Sequence, residues 1–173
     1  MQISPVFQQH LCFTYKHFTH KNSIVHGLNH WQNVWHNALF LSEKEGVDAL
    51  VPQLFAVTHD FQRLTDSVDP QHGPRAARLI QNNKALQQAL TAQQLKDLVY
   101  ACQTHTGGKR APNIVVGICW DADRLDITRV GIRLDAQYLT TQTAKAIATS
   151  FDAEDELIFY KRKLPYLRDL LPI

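Results

Sequence analysis

Residues 54–64, LFAVTHDFQRL, decide how the chain is read. Leu54, Phe55, Ala56 and Val57 have the apolar density of a helix packed into a core. His59 and Asp60 then stand side by side where another apolar turn is expected. Neighbours on a helix diverge by about 100°. One ion can still touch both if it sits between the two directions and other helices complete its shell. A buried carboxylate without a partner is expensive, or takes up a proton instead. A divalent cation removes that cost. Imidazole with carboxylate suits iron, manganese, zinc, cobalt or nickel, and suits magnesium less. A His-Asp pair at a helix end also serves as a plain cap or surface hydrogen bond, so the metal reading requires ligands elsewhere.

The segments around the doublet carry helical spacing. Residues 30–46, HWQNVWHNALFLSEKEG, align Trp31, Val34, Trp35, Ala38 and Leu41, and Gly46 is placed to close that helix. Asp48 is a candidate N-cap for a helix running from Ala49 to about Arg63, with Pro52 tolerated in its first turn. Residues 66–75, DSVDPQHGPR, read as a loop leading into a helix over AARLIQNN. Thr91 and Gln94 stand in capping-box spacing ahead of Leu95, Leu98, Val99 and Cys102, and Gly107-Gly108 ends that helix. NIVVGICWDADRLD is ambiguous: its β-branched start suits a short strand, while Ile118, Ala122 and Leu125 keep helical spacing. The tail reads as a helix interrupted near Pro165. With no repeat and no low-complexity linker, the pattern predicts an all-α, single-domain helical bundle over residues 1–173.

Composition narrows the function classes. A net charge of +2 is no footprint for nucleic acid, so none is expected as a partner. The first residues show no signal-peptide pattern, and no apolar run reaches membrane-span length, so neither secretion nor a membrane partner is expected. Cys12, Cys102 and Cys119 are odd in number and lack C-x-x-C spacing, which disfavours disulfides and thiolate zinc sites. A reduced, cytoplasmic setting fits.

Further ligands are available. His30 lies beside the apolar stripe of its helix, His72 at the mouth of the next, and His105 at the end of LVYACQTH. Asp123 sits in CWDADRLD among apolar residues. The order is one His, a His-Asp doublet, two more His and an Asp. It resembles the HD superfamily of metal-dependent phosphohydrolases, named for the doublet. The similarity covers roughly residues 26–130, flanked by terminal helices. NHWQNVWHNALFL resembles the family's first helix, LFAVTHD its doublet helix, and DADRLD its final metal-binding Asp. By that resemblance His30, His59, Asp60 and Asp123 form the first site. Asp123 is preferred to Asp121 because the family pattern is Ala-Asp-x-Leu. His72 and His105 resemble the extra histidines of two-metal members, including the HD-GYP phosphodiesterases. HTGGKR replaces the Gly-Tyr-Pro signature after His105, so cleavage of cyclic dinucleotides is not implied.

In the two-metal reading Asp60 bridges both ions, with His30 and His59 on one and His72 and His105 on the other. The cofactor is then one or two divalent ions: Mn, Fe, Co, Ni or Zn. The expected function is hydrolysis of a small phosphate ester or nucleotide through a metal-bound hydroxide. Arg63, one turn past the doublet, is placed to assist Asp60 in catalysis and to bind substrate phosphate, or else to pair with Asp66 or Asp69. Lys109 and Arg110 are candidate phosphate contacts in a glycine-rich loop, or solvated charges. Asp121, Arg124 and Asp126 read as residues that orient the final ligand or form ion pairs. Asn33 and Asn37 face the site or bond between helices. His26 reads as a helix-start or supporting residue. His10, His17, His20 and His36 read as surface or packing residues, and the three tryptophans as core. Two alternatives share the ligand set: a di-iron oxygenase of the HD type, and a non-catalytic nucleotide-binding module.

Overall fold

Side-chain caps mark where the helices begin, because the first turn of a helix leaves backbone N–H groups without partners. Ser4 accepts from Phe7 N, with Pro5 at the first helical position, and α1 runs Pro5–Lys16. Thr91 and Gln94 form a complete capping box ahead of α6 (Ala92–Thr104). Asn113 caps α7 (Ile114–Arg124), and Thr141 caps α8 (Gln142–Thr149). The remaining helices are α2 (Leu28–Glu45), α3 (Leu50–Ala56), α4 (His72–Gln81), α5 (Lys84–Ala89) and α9 (Phe151–Lys161). These elements come from a computed structural model that describes residues 3–107 and 110–172. No β-strand occurs among the described residues, and none of their helices is long and apolar enough to cross a membrane.

α2, α3 and α7 pack on one another, α6 joins α3 and α7, and α4 lies along α6. The core between them holds Trp31, Trp35, Phe40, Phe55, Phe61 and Trp120, all essentially inaccessible. Helix α2 ends as its sequence suggests: Gly46 takes φ +66°, a left-handed conformation that costs a glycine little.

Three local expectations need correction. The helix before the doublet stops at Ala56, not near Arg63. The amides of Thr58 and His59 both reach Phe55 O, at 2.9 and 3.0 Å, and the Thr58 hydroxyl donates to Leu54 O. The chain therefore continues through the doublet in tighter turns. The loop ahead of α4 is shorter than expected, because His72 already belongs to the helix and Pro74 falls in its first turn, where a missing N–H is harmless. The strand alternative for residues 114–116 also fails. Val116 and Ile118 to Trp120 are buried in a helix, and that burial outweighs the weak β preference of the branched residues.

Candidate metal centre

The doublet gains its geometry from those tight turns. In a turn of three residues, side chains i and i+3 eclipse. Arg63 accordingly lies over Asp60, with Nε 3.1 Å from Oδ1. Its Nη1 reaches the carbonyl oxygens of Thr65 and Ser67, at 3.4 and 3.2 Å. The guanidinium is thus engaged on Asp60 and the backbone, not on Asp66 or Asp69.

Around Asp60 the fold collects imidazoles from four elements: His30 from α2, His59 from the turn after α3, His72 from the first turn of α4, and His105 from the end of α6. All four are buried. They meet in two pairs, His30 Nε2 to His59 Nε2 at 3.0 Å and His72 Nε2 to His105 Nε2 at 2.9 Å. Asp60 stands between the pairs. Its Oδ2 is 3.6 Å from both His30 and His59 Nε2, while its Oδ1 is 3.1 Å from His72 Nε2 and 3.7 Å from His105 Nε2. Asp123, from the last turn of α7, adds Oδ1 at 3.2 Å from His30 and 3.6 Å from His59. All six residues named from the sequence as ligands therefore converge.

The far side of each ring tests whether this cluster fits a metal. His59 Nδ1 donates to Phe55 O, His105 Nδ1 to Cys102 O and His72 Nδ1 to Asp69 O. His30 Nδ1 donates to Asp126 Oδ2 at 2.7 Å. Carbonyl and carboxylate oxygens only accept, so every Nδ1 carries the proton. The neutral form of each ring then turns an Nε2 lone pair inward. Two lone pairs facing each other at about 3 Å, next to carboxylates, repel unless a cation lies between them. Metal–imidazole bonds of about 2.0–2.1 Å put adjacent ligand nitrogens at this kind of separation. The donor set fits a divalent transition metal.

Electrostatics lead to the same conclusion. Burial opposes charge on His30, but hydrogen bonds to Asp123 and Asp126 outweigh it and raise the pKa to about 9. Burial pushes His59 down to about 3. Burial also disfavours ionised Asp60 and Asp123, yet the neighbouring imidazoles hold both carboxyls well below the usual range. Without metal, a proton on His30 takes the cation's place.

Two supporting residues have larger roles than their sequence context suggests. His26 Nδ1 donates to Asp60 Oδ2 at 2.6 Å, and its ring is close enough to His30 and Asp60 to count as an alternative donor. The i, i+4 spacing of His26 and His30 is the sequence signal that points to it. Asp126 orients His30 rather than the final ligand, and that pairing spans the α2–α7 interface where no sequence signal exists. Asp121 faces away from the centre and accepts the backbone N–H groups of Thr140 and Thr141. Asn37 bonds Ala122 O across the helix interface, and Asn33 lines a groove beside residues 166–169. Arg110 lies in a depression with Tyr138 and Lys145, and Lys109 lies outside the described residues. Burial raises the thiol pKa of Cys102 and Cys119, so neither is poised as a nucleophile.

A cleft of about 530 Å³ opens on the centre, with His105 and Asp123 in its lining. It therefore reaches one residue from each half of the ligand set.

No protein-family model matches the chain, and no curated protein matches it in sequence. Its fold is that of a crystal structure described as a predicted HD superfamily hydrolase, from an uncultured Thermotogales bacterium. The two superpose with a TM-score of 0.67 at 20% sequence identity, over 92% of this chain and 91% of the other.

Proposed function

We propose that this chain is a metal-dependent phosphohydrolase of the HD type that acts on a small phosphate ester or nucleotide. The observation that carries the reading is the inward turn of four Nε2 atoms around the two oxygens of Asp60. His30, His59, Asp60 and Asp123 would hold one divalent ion. Asp60 would share a second with His72 and His105. Bound there, such ions supply an activated water near neutral pH and positive charge against a phosphoryl group.

The chain's own residues do the rest. The four Nδ1 hydrogen bonds hold each ring in one tautomer and one orientation. Arg63 donates to Asp60 Oδ1 and holds that carboxylate in place, so its contribution runs through Asp60. Asp123 is the partly exposed member of the set, with 23% of its side chain accessible, and marks the side from which substrate approaches.

Elemental analysis of anaerobically purified protein, followed by phosphate release from a panel of esters and nucleotides with the metal found, tests the reading. We expect turnover without oxygen, and loss of one ion but not the other in His72→Ala and His105→Ala. Oxygen uptake by an iron-loaded protein that releases no phosphate would replace the hydrolase with an oxygenase. Nucleotide binding without turnover across all metals would replace it with a binding module.

A further inference from the structure

The cleft over the centre has two unlike parts. Its floor is polar and belongs to the ligand set, at His105 and Asp123. Its wall is the segment between α7 and α8, which contributes Ile127, Ile132, Leu134 and Leu139. Ile132 is 53% exposed, so its side chain is accessible within the cleft.

The wall is held in place from both ends. Arg129 donates to Asp126 O and Val25 O at one end. Asp121 takes the N–H groups of Thr140 and Thr141 at the other. Gly117 lies so close to Thr140 that a Cβ there would come within 2.7 Å of its methyl group. A segment tethered in this way presents a formed surface, and the cleft volume falls in the range typical of small-molecule sites.

Charge in the cleft is cationic beyond the floor. Arg124 donates to Tyr138 O and lies over the Trp120 ring, leaving its buried Nη2 without a hydrogen-bond partner among the described residues. Arg133 is exposed and makes no ion pair or side-chain hydrogen bond among them. The cleft's other acid, Asp135, is occupied by the backbone and side-chain nitrogens of Gln137.

Resting on the hydrolase reading above, we propose that the cleft takes the organic portion of the substrate. The substrate is then a phosphate ester with an apolar or aromatic body and a second anionic group. The reacting phosphoryl lies on the floor, the body lies against Ile132 and its aliphatic neighbours, and the second anion pairs with Arg133. That anion is a carboxylate or a second phosphoryl group, since a guanidinium forks onto either.

Calorimetric titration of metal-loaded protein with phosphonates, whose C–P bond resists hydrolysis, tests this independently of turnover. The ligands are methylphosphonate, phenylphosphonate, 4-carboxyphenylphosphonate and benzene-1,4-bisphosphonate. We expect the phenyl ring to tighten binding about tenfold or more, from the apolar area it buries. A second anion should add about another tenfold, the size of a charge-assisted contact, and the two arms show which anion is preferred. Ile132→Asp should erase the first increment and Arg133→Gln the second. Both positions are on the surface, so folding is not at stake. Equal affinity for all four ligands, no binding at all, or an ordering unchanged in both variants would overturn the proposal. An intact ordering in a protein that releases no phosphate from any ester would leave the cleft assignment standing and overturn only the hydrolase reading.

Discussion

The two ring nitrogens of His30 have separate roles. Nδ1 donates to Asp126, and Nε2 faces His59 and Asp123. Removing the Asp126 carboxylate frees the ring to rotate and lowers its basicity. Asp126→Asn is expected to weaken metal binding by about ten- to a hundredfold, read by competition with a chromogenic chelator. Asp60 carries more, since its oxygens serve both halves of the cluster. Asp60→Asn should abolish metal occupancy and turnover while leaving the helical circular dichroism intact. Full occupancy in that variant would refute the site. The doublet was legible in the sequence because an acid amid apolar residues needs a partner, and Asp123 was separated from Asp121 by its resemblance to the HD pattern. The pairing of Asp126 with His30 was not legible, because the two lie 96 residues apart in sequence.

Between elements, the tightest approach near the centre is α4 against α6. A Cβ on Gly73 would fall 2.4 Å from Cys102 O and 3.2 Å from His105 Cε1. Alanine would gain up to about 1 kcal/mol of helix propensity there. The clash is with a backbone carbonyl that cannot rotate away, and overpacking of this kind costs roughly 1–3 kcal/mol. Strain should therefore win. Gly73→Ala is expected to lower the melting temperature of metal-free protein and to loosen the ion held by His72 and His105 before the other. Metal stoichiometry at limiting concentration reads the second effect. Capping residues and helical spacing made α6 legible in the sequence. The end of α3 was not, because it depends on Thr58 being held by Leu54 O and by His10 at 2.8 Å, and the His10 contact comes from another helix.

At the scale of the whole molecule, acid should destabilise the fold even without metal. Burial pushes His10 from 6.5 down to about 4, and its Nδ1 has no partner among the described residues. The unfolded chain therefore binds a proton that the folded chain refuses. Stability from this residue is full above pH 6.5 and is lost as pH falls toward 4. The shift corresponds to roughly 3 kcal/mol at its full extent. Urea unfolding of chelator-treated protein and of His10→Leu should give stability curves that diverge across that window, with the variant the flatter of the two. Parallel curves would mean that His10 is solvated or charged in the folded state. His36 is buried against Pro165 O and is lowered to about 4 by the same cause, so it adds to the slope in both proteins.

The sequence by itself determined the helical class and, through the resemblance of its His and Asp order to the HD pattern, a set of candidate ligands. Periodicity and unpaired polarity are local properties, readable one segment at a time. Only the tertiary structure decided that the six side chains meet, that Asp60 turns one oxygen toward each imidazole pair, and that Arg63 is engaged with that carboxylate. It also decided that the cleft wall comes from residues 127–139, which have no motif of their own. Those outcomes depend on which helix faces lie opposite one another, and packing sets that through contacts far apart in sequence.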